Sequence, residues 1–215
     1  MASTFQVQIE DMVGIVGSSA DTSSDTTAIT SWLTDGAKEV INVMPPNLLA
    51  LCAAEQTLTP RAVGSESTAA TLNTGKVFNV RRSDGTIDQP CRLVSSRVKG
   101  RVSDPDDMMY ATATDPVYYI ESNYLNILPS SSSAVGKYSE VQYPTVAYTD
   151  GTSGISSFPD EAEYLVVLYA AIKAVERIVS DNIRVDEDVE LANAKKEQYT
   201  WLQNQYMTGI KALTG

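Results

Sequence analysis

The sequence predicts an α+β fold that is mainly α: a helical bundle with a long C-terminal helix hairpin and an inserted small β-rich region. Three observations predict it. Apolar residues recur at helical spacing over residues 1–60, and they do so again over 159–215. Between them, 61–158 carries short β-branched and aromatic runs punctuated by Thr, Ser, Gly and Pro. The two helical stretches are then expected to form one bundle, with the middle as its insertion. At 215 residues and 43% hydrophobic composition, the chain has enough apolar material for a substantial core without covalent staples.

The elements follow in order. Phe5, Ile9, Met12 and Val13 lie at helical spacing, and Gly14, Gly17 and the Ser18-Ser19 pair stop that helix. Capping residues from Asp21 to Asp25 open a second helix. Its apolar face runs through Ile29, Trp32, Leu33, Val40, Ile41 and Met44 to the Pro45-Pro46 stop. Leu48, Leu49, Leu51 and Cys52 restart a turn or two. In the middle, strands are expected at Val77–Val80, Val117–Ile120, Tyr124–Leu128 and Val141–Tyr148. The three residues Glu121, Asn123 and Ser122 between two of these runs are a hairpin-sized connection. Ser130 to Ser133 reads as a flexible tip, and Pro144 demotes the last strand to an edge or splits it.

Pro159 followed by Asp160, Glu161 and Glu163 is a strong helix start, since Pro suits the first turn and acids suit the positive end of the helix dipole. Leu165, Leu168, Ile172, Val175 and Val179 then repeat at spacings of 3, 4, 3 and 4, a narrow seam, with Ala170, Ala171 and Ala174 allowing close approach of a neighbour. Asp181-Asn182 permits a break, and Asp186-Glu187-Asp188 opens the last helix. That helix carries Val189, Ala192, Tyr199, Leu202, Tyr206, Ile210 and Leu213 as a broken stripe. With Trp201 and Met207 it holds more aromatic and apolar surface than one partner helix needs, which suggests a second contact.

Composition removes whole classes of chemistry. There is no histidine, so His-based triads and zinc sites are excluded. Sixteen Lys and Arg against 27 Asp and Glu leave a net charge of −11, which repels phosphate and argues against binding DNA through bulk charge. Cys52 and Cys91 stand 39 residues apart and read as free thiols rather than a disulfide framework. No window is apolar enough to span a membrane, and the Met-Ala-Ser-Thr-Phe-Gln start has no secretion-signal pattern, so synthesis and residence in the cytoplasm are expected.

Candidate sites are few. Lys76, Arg81, Arg82, Arg92, Arg97, Lys99 and Arg101 are seven of the sixteen basic residues, opposed between 76 and 101 only by Asp84 and Asp88. The stretch reads either as a contact for nucleic acid or an acidic partner, or as a solvated face paired with the chain's own acids; the latter is the simpler reading because only Phe78 interleaves the arginines. The acidic groups Asp104, Asp106, Asp107 and Asp186, Glu187, Asp188, Glu190 lack calcium-loop spacing and read as turn and helix-start chemistry. Gly14 and Gly17, and Gly75-Lys76, do not complete a phosphate loop. Ser96 and Lys99 have Ser-x-x-Lys spacing but no helical run follows. No catalytic residue, cofactor or metal is therefore expected.

The order of parts carries a resemblance. Phe158-Pro-Asp-Glu-Ala-Glu-Tyr-Leu-Val-Val-Leu-Tyr-Ala-Ala opens a C-terminal helix pair running to Gln205, and Ile29-Thr-Ser-Trp-Leu-Thr-Asp-Gly-Ala-Lys-Glu-Val-Ile-Asn-Val-Met-Pro lies upstream. Together these segments resemble tailed-bacteriophage head-to-tail adaptor proteins, also called connector or neck proteins. The resemblance implies a virion protein in a homo-oligomeric ring of about twelve copies. Such a ring joins the portal protein at the capsid vertex to tail or nozzle proteins, and DNA passes its centre without specific binding. It implies that Tyr199, Trp201, Leu202, Tyr206, Met207, Ile210 and Leu213 engage the portal or a neighbouring subunit. Arg81, Arg82, Arg92, Arg97, Lys99 and Arg101 would then face an acidic neighbour. The alternatives are another virion structural protein, tail-associated or decorating, and a nucleic-acid-binding regulator using the basic stretch.

Overall fold

A computed structural model describes residues 3–14, 22–58, 70–130, 134–152, 154–181 and 189–215. The expected breaks and caps at 17–19, Asp21, 131–133, Asn182 and 186–188 lie outside the described residues.

The chain divides into two compact units, Met1–Cys52 with Tyr143–Gly215, and Ala53–Gln142. The first is helical. α1 (Phe5–Val13) starts at Thr4, whose hydroxyl accepts from the Val7 amide, and buries Phe5, Ile9 and Val13. α2 (Thr22–Val43) buries Ile29, Leu33, Ala37, Val40 and Ile41, one face of its turns. The short α3 (Pro46–Leu49) follows, beginning on the first-turn proline.

α5 (Asp160–Asp181) and α6 (Val189–Thr214) complete the unit; α4 (Lys99–Ser103) belongs to the other one. The narrow seam expected on α5 is wider in fact. Leu165, Val166, Val167 and Leu168 are consecutive and all buried, as are Ala170, Ala171, Ala174 and Val175, because α1, α2 and α6 all pack on this helix. Two glycines set the closeness of that packing. A Cβ on Gly36 of α2 would lie 2.9 Å from the Tyr169 ring, and one on Gly209 of α6 would lie 2.5 Å from Leu165 Cδ2. The pairings Gly209 with Leu165, Tyr206 with Tyr169 and Tyr199 with Glu176 show that α6 runs antiparallel to α5.

The second unit overturns the expected fold class. A helical bundle with a small β insertion would leave the middle as an appendage. Instead 53–142 is a compact unit whose described residues form eight strands in two four-stranded sheets. The strands are β1 (Ala53–Leu58), β2 (Ala70–Thr71), β3 (Val77–Ser83), β4 (Asp88–Pro90), β5 (Arg92–Leu93), β6 (Val117–Glu121), β7 (Tyr124–Leu128) and β8 (Val135–Val141). The first sheet has the order β1-β8-β3-β4 and the second β2-β7-β6-β5, antiparallel except for the β5–β6 pair. The physical reason is that the second sheet is covered on both faces. Leu125 and Ile127 pack with Leu58, Val80 and Tyr138 of the first sheet. Val117 and Tyr119 pack on the other side with Val94, Val102 and Ala111, from the segment that holds α4 (Lys99–Ser103). Strands covered on both faces give near-continuous apolar runs, as in Val117–Tyr119.

The hairpin of β6 and β7 stands where the sequence placed it, turning at Ser122 and Asn123, both with positive φ. Two other readings are corrected. Ala53–Leu58, counted with the N-terminal helices, is a strand paired along its length with β8. The strand expected over Val141–Tyr148 ends at Val141, before Pro144, and its real body is Val135–Val141 at the centre of the first sheet. That strand carries two residues that hide it from pattern reading. Gly136 faces inward where a Cβ would lie 2.5 Å from Ile127 Cδ1. Glu140 is buried, its carboxyl accepting the amides of Thr74 at 2.7 Å and Gly75 at 3.0 Å.

Candidate interaction surfaces

The basic stretch is distributed over both sheets and the α4 segment rather than gathered on one face. Arg81 pairs with Glu55 at 2.6 Å and with Asp88 at 3.6 Å. Arg92 pairs with Asp115, Lys99 with Glu121, and Arg101 with Asp107. Lys99 also stands 5.7 Å over the Tyr119 ring. Arg82 points inward, buried, and its Nε donates to the Pro129 carbonyl at 3.0 Å. Arg97, exposed beside α4, makes no ion pair among the described residues. Most of the local charge is thus neutralised by the chain's own carboxylates, some of them far away in sequence.

The acidic turn Asp104–Asp107 is likewise occupied. Asp107 accepts from Arg101 and from the Met109 amide, and Arg101 beside it holds its carboxyl below the usual carboxylate range. Asp104 accepts from the Asp106 amide. Among the described residues no three Cys, Asp or Glu gather as a metal site requires, and no helix is long and apolar enough to cross a membrane.

The seven residues expected to serve a second contact on α6 separate into three sets. Leu202 and Tyr206 are buried inside the helical unit, and the Tyr206 hydroxyl donates to Glu39 at 3.0 Å while its ring tilts against Tyr169. Burial and the neighbouring Glu39 charge push the Tyr206 phenol well up. Tyr199, Ile210 and Leu213 are half-buried, Tyr199 donating to Glu176. Trp201 and Met207 are exposed, at 56% and 49%, and stand six residues apart, about 120° apart around the helix. Part of the aromatic surplus is therefore consumed by α5 and α2, and the rest is split between two sides of α6.

A different surface emerges at the α5 N-terminal end of the helical unit. A cleft of about 630 Å³ is lined by Leu51, Ile155, Phe158, Pro159, Asp160 and Glu161. Beside it a second cleft of about 330 Å³ is lined by Leu48, Glu161, Tyr164 and Leu213, with Pro45, Asn47 and Ala212. Glu161 is the wall common to both. Leu51 is 58% exposed and Tyr164 47%, so the apolar floor is open to solvent.

No protein-family model matches this chain, nor does any curated protein.

The clefts were missed in the sequence because their linings come from three separate stretches, 45–51, 155–164 and the α6 end at 212–213. The available signal was the run Leu48, Leu49, Leu51 between Pro46 and β1, too apolar for a connection that only turns the chain. Neither cysteine is in a disulfide; Cys52 is buried and Cys91 half-buried, and burial pushes the Cys91 thiol up to about 12, so it holds little thiolate at neutral pH.

Proposed function

We propose that this chain is a structural protein of a bacteriophage virion, a head-to-tail adaptor that forms a ring between the portal and the tail and lets DNA pass. The observation that carries this reading is the pair of adjoining clefts at the α5 end of the helical unit, of mixed polar and apolar lining, where Leu51 and Tyr164 stand open to solvent in a single copy. The resemblance over Pro159–Gln205 and Ile29–Pro45 supports it, since those segments supply the helices that build this end. Trp201 and Met207 are the α6 residues offered to the portal or a neighbour. The net charge of −11 suits a channel past which DNA slides, and the ion pairs of Arg81, Arg92, Lys99 and Arg101 leave little positive charge to hold it. The reading assigns the chain no catalysis.

Electron microscopy of virions carrying a tagged copy tests the location, and light scattering of the purified protein with and without portal tests the assembly. Density at the neck with a ring of discrete copies is expected. Absence from intact particles, together with failure to assemble in both samples, would overturn the reading.

A further inference from the structure

The charge of this chain is not shared between its two units. The β unit, 53–142, contains 9 Lys and Arg and 10 Asp and Glu, a net of −1. The helical unit contains 7 and 17, a net of −10. Nearly all of the acidity therefore belongs to the unit that carries the two open clefts. On the rims of those clefts Asp160 and Glu161 are exposed and make no ion pair among the described residues, whereas Glu163, two residues on, is used by the Ile155 amide. The surface that would cover such a cleft needs apolar side chains for the floor and a cation for the rim.

The β unit presents that combination. The segment between β5 and β6 exposes Arg97 without an ion pair among the described residues, together with Met108 at 102% and Tyr110 at 37%, and the end of β5 beside it exposes Leu93 at 62%. These residues lie on the outer side of a segment whose inner residues, Val94, Val98, Val102 and Met109, cover the second sheet. We infer that copies of this chain associate head to tail, the clefts around Glu161 of one copy receiving the Arg97 surface of the next. Such a contact is heterologous: each copy uses one surface to give and another to receive, so contacts repeat until they close. The inference rests on the ring reading above and assigns its copy-to-copy contact. The apolar floor supplies the attraction, and Arg97 against Asp160 and Glu161 sets which surfaces meet.

Paired charge reversal tests it. Glu161→Lys and Arg97→Glu are exposed substitutions, and thermal unfolding verifies that each variant folds. Sedimentation velocity over a concentration series, at low and at physiological salt, then follows assembly of the wild type, each variant, and their equimolar mixture. Wild-type assembly that weakens with salt is expected, with each variant alone at least about tenfold weaker. A chain carrying both reversals should recover most of the loss. If the wild type assembles and both single variants assemble equally well, the inference falls while the ring reading stands. If the wild type stays monomeric at every concentration, the inference also falls, and the ring reading is then decided by where the protein sits in virions. Binding of an acidic polymer such as heparin at Arg97 in place of a second copy would equally overturn it.

Discussion

Lys195 Nζ donates a 2.6 Å hydrogen bond to the carbonyl oxygen of Val13, 182 residues away in sequence. The last carbonyls of a helix lack intrahelical donors, and a cation there also meets the negative end of the dipole. Gln198, one turn further along α6, donates to the Met12 carbonyl at 2.5 Å. The last helix of the chain thus closes the first, and the two ends of the sequence are held in one unit by the unpaired groups of α1 as well as by its apolar face.

Removing that cap should loosen the α1 end without unfolding the unit. Lys195→Met is expected to cost about 0.5–1.5 kcal/mol in urea unfolding, with Gln198→Ala smaller and the double change less than their sum, because both serve neighbouring carbonyls. Faster amide exchange confined to α1 would accompany it.

Two glycines of the β unit should respond in opposite ways. Gly136→Val drives a side chain into Ile127 between the sheets and should destabilise by about 1–3 kcal/mol or more. Gly100→Ala meets no atom within 4 Å on the exposed α4, and should be neutral or stabilise by up to about 1 kcal/mol. Denaturant midpoints of the two variants against wild type check both.

The buried acids that hold their protons predict an alkaline limit. The Cys91 thiol is pushed up to about 12, and the Tyr206 phenol is raised by burial and by Glu39, while the unfolded chain releases these protons from about pH 9 upward. The folded state binds more protons than the unfolded state in that window, so stability is full below about pH 8.5 and falls as pH rises toward 12. At the acid end the sign reverses. Asp107, lowered by Arg101, and Asp84, lowered by the amides of Thr86 and Ile87, favour the folded state above the ordinary carboxylate range and lose that contribution as pH falls below about 4. Urea midpoints should be flat from pH 6 to 8 and lower at pH 10.5, and Cys91→Ser should remove part of the alkaline loss.

Thiol titration gives an independent reading of the same burial. With a disulfide reagent at pH 8, both cysteines of the native protein should react slowly, Cys52 more slowly than Cys91 because it is fully enclosed. In denaturant two thiols per chain should react at once. A single thiol or none would show a bridge.

Tyr206 offers a test of the helical unit from the inside. Tyr206→Phe keeps the ring against Tyr169 and loses the hydrogen bond to the exposed Glu39, and should cost about 0.5–1.5 kcal/mol. Tyr206→Ala also empties the space and should cost about 3–5 kcal/mol. Thermal unfolding followed by circular dichroism separates them.

Legibility followed the range of the forces involved. Helices at both ends, the Pro159 start with its acids, the β6–β7 hairpin and the lack of any histidine chemistry could be read directly, because periodicity, caps and turns act over a few residues. Strand β8 could not, since Gly136 and Glu140 break its apolar alternation for reasons that lie in Ile127 and in the amides of Thr74 and Gly75. The residues expected to bind a partner were divided for the same reason: α6 periodicity marks Leu202, Tyr206 and Trp201 alike as apolar, and only the positions of α5 and α2 decide that the first two are inside.

By itself the sequence determined the helices at both ends, the Pro159 start, the β6–β7 hairpin and the net charge the chain must carry. Tertiary structure alone decided that the middle is a unit with two sheets, that Arg81 and Arg92 meet carboxylates brought from other segments, and that Leu48, Leu51, Phe158 and Tyr164 line clefts around Glu161. Local preferences are written in neighbouring residues, whereas burial and ion pairing depend on contacts between segments far apart along the chain, which no short window contains.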